Sequence, residues 1–383
     1  MMAAPASDPK WLHEGHRTPQ PEAEAQYERM TLTAEIEEDL HRRGASTEML
    51  ELLKEIDADL QLPAAPAGQL GGEIRAKALR CISHMLQGCS SGHCSWFQAA
   101  LLLDRLTASN DYRLEQLPLA CVCVARLVIK CACSVATPLT SESPQMHMIK
   151  EFSTWLESTQ DCLASEVSNR ALNLHEKTVL KALDWQAEVP CVEQWCRIYF
   201  TRFGRLAGRE YQAPLQQMHG TALMFARAVV MCVPASAELS HGKLATGLFS
   251  LSFVYSSLLP MALLKPETMA DAEWSALFAA TQPRGELPTC RLPKLLTLGR
   301  PLGLFVLKRI ISRNLLRRGF RDPKLETLNP KGHPRTMRIM DMICLTVKEE
   351  LDVIRAQAAR MLEALGETFQ QIHCFHVQGA GNR

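Results

Sequence analysis

The sequence predicts an all-α protein, from its composition and from the spacing of its apolar residues. Leu and Ala dominate the 383 residues, whereas aromatic residues make up only 6%, and this balance favours helices over β-rich folds. With 47% hydrophobic residues and a net charge of +1, the chain is not wholly disordered. Helical spacing of three and four residues is clearest at Ile74, Ala78, Cys81, Ile82 and Met85.

The N-terminal region, 1–69, is predicted to be a flexible leader with short helices. Residues 1–30 are rich in Pro, Ala and Glu, residues 31–62 have the pattern of two short polar helices, and 63–72 has the composition of a linker. The start lacks the basic and apolar parts of a secretory signal. We therefore expect the 14 cysteines to be reduced and mostly buried, and we expect no metal site, since no CxxC pair occurs.

Residues 70–188 have the pattern of one five-helix unit. Its helices are predicted at about 73–88, 95–107, 115–133, 146–158 and 169–184. The third is apolar over most of its surface, which is typical of a helix surrounded by others. We therefore expect this helix at the centre of the unit.

A second helical unit is predicted at 189–285, beginning near Pro190. Its helices are expected at about 214–232, from 241 onward, and at about 267–281. The stretch from Leu244 to Leu264 has no charge and is long enough to span a bilayer. Its serines and Pro260 favour a buried core helix followed by a loop, so we expect no membrane partner.

The C-terminal region, 286–383, is predicted to be a basic and amphipathic helical extension. Within 291–338, 13 Lys and Arg residues oppose only Asp322 and Glu326, so this segment carries +11 and the rest of the chain −10. Its candidate basic patch comprises Lys308, Arg309, Arg313, Arg317, Arg318 and Arg321. Such clustering suits nucleic-acid binding by phosphate contacts; the alternative is a set of solvent-facing helix surfaces.

An apolar seam follows from Met340 to Ile372, in steps mostly of three and four residues. This spacing predicts one long amphipathic helix with coiled-coil-like periodicity. The seam could bind a partner helix or pack on the second unit of the same chain. The sequence leaves both alternatives open.

No catalytic motif is present in the sequence. It has no GxxxxGK[ST] loop, no GxGxxG after a strand and no GxSxG elbow. The HEGH at 13–16 lacks the spacing of HExxH, which places two His on one helix face. We therefore predict an interaction protein without a catalytic site, cofactor or metal.

Four charged residues lie among apolar ones and are candidates for special roles. Arg75 opens the first helix of the five-helix unit and Asp104 ends the run AALLLD. Because an isolated buried charge costs several kcal/mol, the two are expected to pair, with Arg80 as the alternative cation. Lys130 ends the most apolar helix, where a cation is favoured by the helix dipole, and Glu176 precedes VLKALDW.

These residues and the runs around them resemble the cyclin family. The Asp-Arg ending a cyclin's second helix is matched by LLLDRL, its third helix by LEQLPLACVCVARLVIK and its fifth by HEKTVLKALDW. The following helix, which starts with Pro, is matched by PCVEQWCRIYF, and helices of a second fold resemble LMFARAVVMC and KLATGLFSLSF. The resemblance covers about residues 70–280.

The resemblance implies two tandem five-helix cyclin-like folds with extra N- and C-terminal helices. It implies a structural ion pair of Arg75 with Asp104, and a buried core position for Leu119. Lys130 and Glu176 match the two residues that meet a kinase near its C-helix and activation segment; solvent-facing helix ends are the alternative.

The family binds and activates a cyclin-dependent protein kinase and has no catalysis of its own. The resemblance therefore implies a regulatory subunit in cell-cycle or transcription control, located in the nucleus and/or cytoplasm. The alternative is a cyclin-fold adaptor of the transcription machinery or nucleic acid that uses 291–338. The sequence departs from the family at Cys131, Ala132 and Cys133, which replace acidic residues, and at Lys77 on the first helix, which replaces a larger apolar one.

Overall fold

Helices make up all the regular structure of the residues that the structure describes, which confirms the all-α prediction. The structure is a computed structural model. It describes residues 34–60, 62–63, 70, 72–87, 92–108, 112–132, 140, 146–160, 162–208, 212–256, 258–281 and 334–380. These residues all belong to one compact unit, Leu32–Arg383.

Seven α-helices precede residue 190 in the described part. They are α1 (Ala34–Arg42), α2 (Thr47–Asp59), α3 (Gly72–Met85), α4 (Gly92–Thr107), α5 (Leu117–Ala132), α6 (Met146–Gln160) and α7 (Asn169–Ala182), with a 3-10 turn at Leu114–Gln116. Helix α5 packs against α3, α4, α6 and α7. The most apolar helix therefore lies at the centre of the first group, because each of its faces is covered by a neighbour.

Six further α-helices are described after residue 190. They are α8 (Val192–Ala207), α9 (Gln212–Cys232), α10 (His241–Tyr255), α11 (Asp271–Ala280), α12 (Pro334–Val347) and α13 (Leu351–Ala380), with a 3-10 turn at Met261–Leu264. Helix α10 is buried almost all round and packs against α8, α9 and α13. Among the described residues, no helix is long and apolar enough to cross a membrane.

The C-terminal seam packs within the chain rather than remaining a separate surface. Helix α12 packs on α8, and α13 packs on α9, α10 and α11. The buried seam residues are Met340, Ile343, Val347, Ile354, Ala358, Met361 and Leu365. The described side chains of α12 and α13 therefore share a core with α8–α11.

The prediction of one long seam helix is wrong, because the helix breaks between Val347 and Leu351. Lys348 adopts a left-handed backbone with φ of 55°. Its carbonyl oxygen accepts a hydrogen bond from Lys54 Nζ at 3.0 Å, and the Lys54 ammonium also pairs with Glu349. Contacts from α2 therefore occur where the helix breaks. Val347 and Leu351 are still four residues apart, so the spacing of the apolar residues continues across the break.

Serine side chains fix the start of three helices. Ser46, Ser168 and Ser240 each accept a hydrogen bond from a backbone N–H in the first turn of α2, α7 and α10. A serine at this position satisfies one of the N–H groups that lack a partner within the helix. The cap at Ser168 sets the register of α7 and therefore the direction in which Glu176 points.

Candidate partner-binding site

Arg75 and Asp104 form a bidentate ion pair between α3 and α4. Arg75 Nε lies 2.7 Å from Asp104 Oδ1, and Arg75 Nη2 donates to Oδ2 at 2.8 Å. Both side chains are almost completely buried. This fork geometry compensates two charges in a site from which water is excluded. Arg80, the alternative cation, is exposed.

The Arg75–Asp104 pair also joins the first helical group to the second. Arg75 Nη1 donates to the Val230 carbonyl oxygen at the end of α9. Asp104 Oδ2 accepts a hydrogen bond of 2.8 Å from the backbone N–H of Ala235. The pair thus fixes α3 and α4 against the segment that follows α9.

Lys130 and Glu176 lie in direct contact, although 46 residues separate them. Lys130 stands in the last turn of α5 and Glu176 in the middle of α7, and the ammonium donates to Glu176 Oε1. On the other side, Arg126 Nε lies 3.4 Å from Glu176 Oε2. One carboxylate therefore lies between two cations at the junction of α5 and α7.

The accessible part of this cluster is the lysine. The Lys130 side chain is 53% exposed, whereas those of Glu176 and Arg126 are 12% and 13% exposed. Arg126 Nη2 donates to Asn173 Oδ1 at 3.1 Å, which further fixes the guanidinium. An ammonium carries three N–H donors, so Lys130 can contact Glu176 and still donate to an incoming partner.

Two large apolar side chains are exposed on α7 and directly after it. Leu174 is 66% exposed and Trp185 62% exposed. Leu174 follows the spacing of one helical face with Arg170, Lys177 and Lys181, whereas Trp185 lies in the left-handed turn after α7. Neither exposed side chain could be recognised from the sequence, because an apolar residue in or beside a core helix gives no indication of which way it points.

The turn that presents Trp185 is held from α4. Asp184 and Trp185 both have left-handed backbones, with φ of 50° and 61°. Arg105 Nη1 and Nη2 donate to the carbonyl oxygens of Gln186 and Leu183 at 3.0 and 3.3 Å. Two consecutive non-glycine residues in this region store strain, and the bonds from Arg105 hold them there.

Leu119 is buried in α5, with 5% of its surface exposed. The thiols of Cys121 and Cys123 in the same helix are also buried, and burial raises the pKa of both. Within the described part of the chain, no group of His, Cys, Asp or Glu could hold a metal ion. The candidate basic patch lies outside the described residues: Lys308, Arg309, Arg313, Arg317, Arg318 and Arg321.

Comparison with known proteins does not assign the chain to a family. No protein-family model matches it, and no curated protein matches it significantly.

Proposed function

We propose that the chain is a divergent cyclin, a regulatory subunit that binds and activates a cyclin-dependent serine/threonine protein kinase. The observation that carries this proposal is the meeting of Lys130 and Glu176 at the surface end of the central helix α5. Their sequence motifs resemble those of cyclins, and their contact brings the two residues together at the junction of α5 and α7, where the Lys130 side chain is 53% exposed. The protein acts in the nucleus and/or cytoplasm.

The helix arrangement supports two tandem cyclin-like folds. In the first, α3, α4, α6 and α7 surround α5, and the Arg75–Asp104 pair joins the first two helices. In the second, α8, α9 and α13 pack around α10, with α11 against α13. The proposed second fold therefore takes its fifth helix from the C-terminal region, beyond the boundary of 285 that the sequence suggested.

The exposed face of α7 supplies the rest of the proposed kinase interface. Leu174 on this face and Trp185 in the turn after α7 are both exposed apolar side chains, and tryptophan is enriched among the residues that contribute most to interface free energy. Glu176 is the only acidic residue of α7, and it is turned inward. The face is therefore basic around an apolar centre and complements a kinase helix that carries acidic and apolar residues.

The proposed interface would activate the kinase through the position in which it holds that kinase helix. A kinase is active when a glutamate of its C-helix pairs with the lysine that binds the ATP phosphates. A rigid face on α7, with Lys130 donating to the end of the kinase helix, would stabilise the inward position of that helix. The regulatory chain then shifts the kinase between two existing conformations and takes no part in phosphoryl transfer.

Co-purification with a cyclin-dependent kinase tests the proposal. We expect the full chain to retain such a kinase and to stimulate its phosphorylation of a peptide substrate. Changing Lys130→Ala together with Glu176→Ala should weaken binding about 100-fold, because it removes the exposed ammonium and the buried carboxylate that positions it. The matched control is Glu38→Ala with Arg42→Ala, an exposed ion pair of α1.

The proposal fails if no kinase of this class is retained by the wild-type chain. The assignment of the interface fails if the Lys130/Glu176 double variant binds the kinase as tightly as the control variant. Circular dichroism of both variants establishes that each is folded.

A second candidate function is favoured by the charge of 291–338, which is +11. In this alternative the chain is a cyclin-fold adaptor that binds nucleic acid or the transcription machinery. Phosphate contacts make binding fall steeply with salt, by a slope of about −0.9 per contact on logarithmic axes. Changing Arg313, Arg317 and Arg318 to Gln in the full chain should reduce that slope; no retention of nucleic acid at low salt excludes the candidate.

A further inference from the structure

Helix α2 leaves an apolar stripe uncovered on its outer side. Met49 is 38% exposed and Leu52 is 50% exposed, and Ile56 is half-buried. These three residues are spaced by three and four positions, so they share one face of the helix. Covering apolar side chains is favourable in proportion to the area removed from water, so this stripe is a candidate contact surface.

Three carboxylates border the stripe. Glu48 precedes Leu52 by four residues, Glu55 follows it by three, and Asp59 lies one turn further along. All three are exposed, and within the described part of the chain none of them forms an ion pair. The ion pairs of α2 with the residues after α12 involve other side chains. The outer side of α2 therefore combines apolar surface with three negative charges that no described cation offsets.

The complementary pattern occurs in residues 302–318 of the same chain, which lie outside the described residues. This segment, LGLFVLKRIISRNLLRR, contains five cations and no carboxylate. In the helix predicted for this region, five residues would share one face: Val306, Arg309, Ile310, Arg313 and Arg317. That face would match α2, because it carries arginines around apolar side chains where α2 carries carboxylates around them.

The chain is long enough to bring this segment to α2. Helix α12 begins at Pro334, and Lys348 just after it pairs with Glu51 of α2. Helix α12 itself rises about 21 Å over its length, whereas residues 319–333 can extend to about 50 Å. A segment of the same chain also avoids the loss of translational freedom that a separate partner incurs, so it has the advantage over a separate partner of similar sequence.

We propose that residues 302–318 bind in cis to the outer side of α2, with apolar side chains on the stripe of Met49 and Leu52 and arginines against the carboxylates that border it. Guanidinium groups pair with carboxylates in a two-bond fork geometry. Residues 1–33 are nearer to α2 in sequence, but they contain five acidic and three basic residues and would add negative charge to a negative surface. The contact engages arginines of the candidate basic patch, so nucleic acid could reach them only by displacing α2.

Hydrogen exchange of the full chain, followed by mass spectrometry, tests the contact. In Glu55→Lys with Asp59→Lys, we expect the backbone amides of 302–318 to exchange about tenfold faster than in the wild type, as for two lost surface charge pairs. Lysines near the end of α2 do not oppose its helix dipole. Arg309→Glu with Arg313→Glu should have the same effect, and the four substitutions together should restore slow exchange because opposite charges meet again.

The apolar part of the contact is tested by Leu52→Gln, which removes a half-exposed side chain and leaves the core intact. Exchange of 302–318 should rise about fivefold, as for the loss of part of one leucine contact. The matched control is Glu363→Lys with Glu367→Lys, two exposed carboxylates of α13 that are also four residues apart. This control should leave the exchange of 302–318 unchanged.

The proposal is overturned if the α13 control speeds the exchange of 302–318 as much as the α2 reversal does, or if neither changes it. It is also overturned if the four substitutions together exchange as fast as either reversal alone. Protection that grows with protein concentration would assign the contact to a second copy of the chain, and protection of α2 that is lost only on deletion of residues 1–33 would assign it to the N-terminus; either result overturns the proposal. None of the substituted residues belongs to the proposed kinase interface, so kinase retention should be unchanged and the two proposals succeed or fail separately.

Discussion

The guanidinium of Arg202 on α8 donates from Nη1 to the carbonyl oxygen of Ala45, 3.0 Å away in the turn between α1 and α2. Its Nε donates at 2.9 Å to the carbonyl oxygen of Thr346 on α12. Arg202 has no exposed surface, and burial lowers its pKa. One side chain therefore holds the N-terminal and C-terminal helices to α8.

Replacing Arg202 should destabilise the protein strongly. In Arg202→Met the carbonyl oxygens of Ala45 and Thr346 would be buried without these donors, and we expect the free energy of unfolding to fall by about 3–5 kcal/mol. Urea denaturation measures this change. The exposed Arg42 is the control, and the unfolding free energy of Arg42→Met should stay within about 0.5 kcal/mol of the wild type. Equal effects of the two variants would contradict the stabilising role of the Arg202 hydrogen bonds.

The crossing of α10 and α13 depends on Gly247. A Cβ at this position would lie 2.6 Å from the Gln357 carbonyl oxygen and 2.9 Å from Met361 Cβ, so the helices would have to separate. We expect Gly247→Ala to lower the thermal midpoint, at a cost of about 1–3 kcal/mol. At Gly220 on α9 nothing lies within 4 Å of such a Cβ. Gly220→Ala should therefore raise the thermal midpoint and increase the free energy of unfolding by up to about 1 kcal/mol.

The Arg75–Asp104 pair should show strong energetic coupling. Arg75→Met or Asp104→Leu alone leaves one buried charge without its partner, and each should cost about 3–5 kcal/mol of unfolding free energy. The double variant should cost less than the sum of the two, because it removes both charges. Chemical denaturation of the three variants measures the coupling, and strict additivity would contradict it.

The pH dependence of stability should include a contribution from Asp57 on α2. Burial raises the pKa of this carboxyl above 3.8, although its hydrogen bond from Ser240 Oγ acts in the opposite direction. Between the unfolded and folded pKa values the folded state binds more protons, so this group's contribution to stability falls as pH rises through that window. Asp57→Asn should therefore gain stability relative to the wild type as pH increases.

Unfolding of the two proteins at about pH 4 and about pH 7 measures this difference. A loss of stability of Asp57→Asn relative to the wild type as pH rises would contradict this prediction.

The proposed kinase interface predicts a separate role for the Trp185 ring. Because Trp185 has a φ of 61°, glycine fits its backbone, and Trp185→Gly should leave the unfolding free energy unchanged or slightly higher. Kinase binding should weaken about 30-fold, as for a central aromatic residue. Leu163, which is 85% exposed, supplies the control in Leu163→Ala; equal kinase affinity of the two variants would contradict the assignment.

Apolar spacing alone predicted α3 to α7, α9 and α11 to within about one turn of their ends. The pairing of Arg75 with Asp104 could also be expected, because a charge inside an apolar run requires a partner and few candidates exist. The burial of α5 and α10 followed from their lack of a polar face. Each of these features shows in the local sequence, as an apolar run, a charge inside such a run or the lack of a polar face.

Features set by distant segments could not be read from the sequence. Arg202 bonds to backbone carbonyl oxygens, and these are present at every residue and leave no pattern. The break at Lys348 lacks a glycine or proline signal, and its contacts come from Lys54 on α2.

The packing of α13 on α10 also sets the order in which the protein can be completed during translation. Helix α10 leaves the ribosome first, and residues 256–350 are synthesised before α13 begins. Until α13 is made, the side of α10 on which it packs is uncovered. Until α12 is made, Arg202 lacks its acceptor there, the carbonyl oxygen of Thr346. Exposed apolar surface on a nascent chain is a target for chaperones and proteases. We therefore expect ribosome-bound chains that end before residue 334 to be cleaved faster than the finished protein.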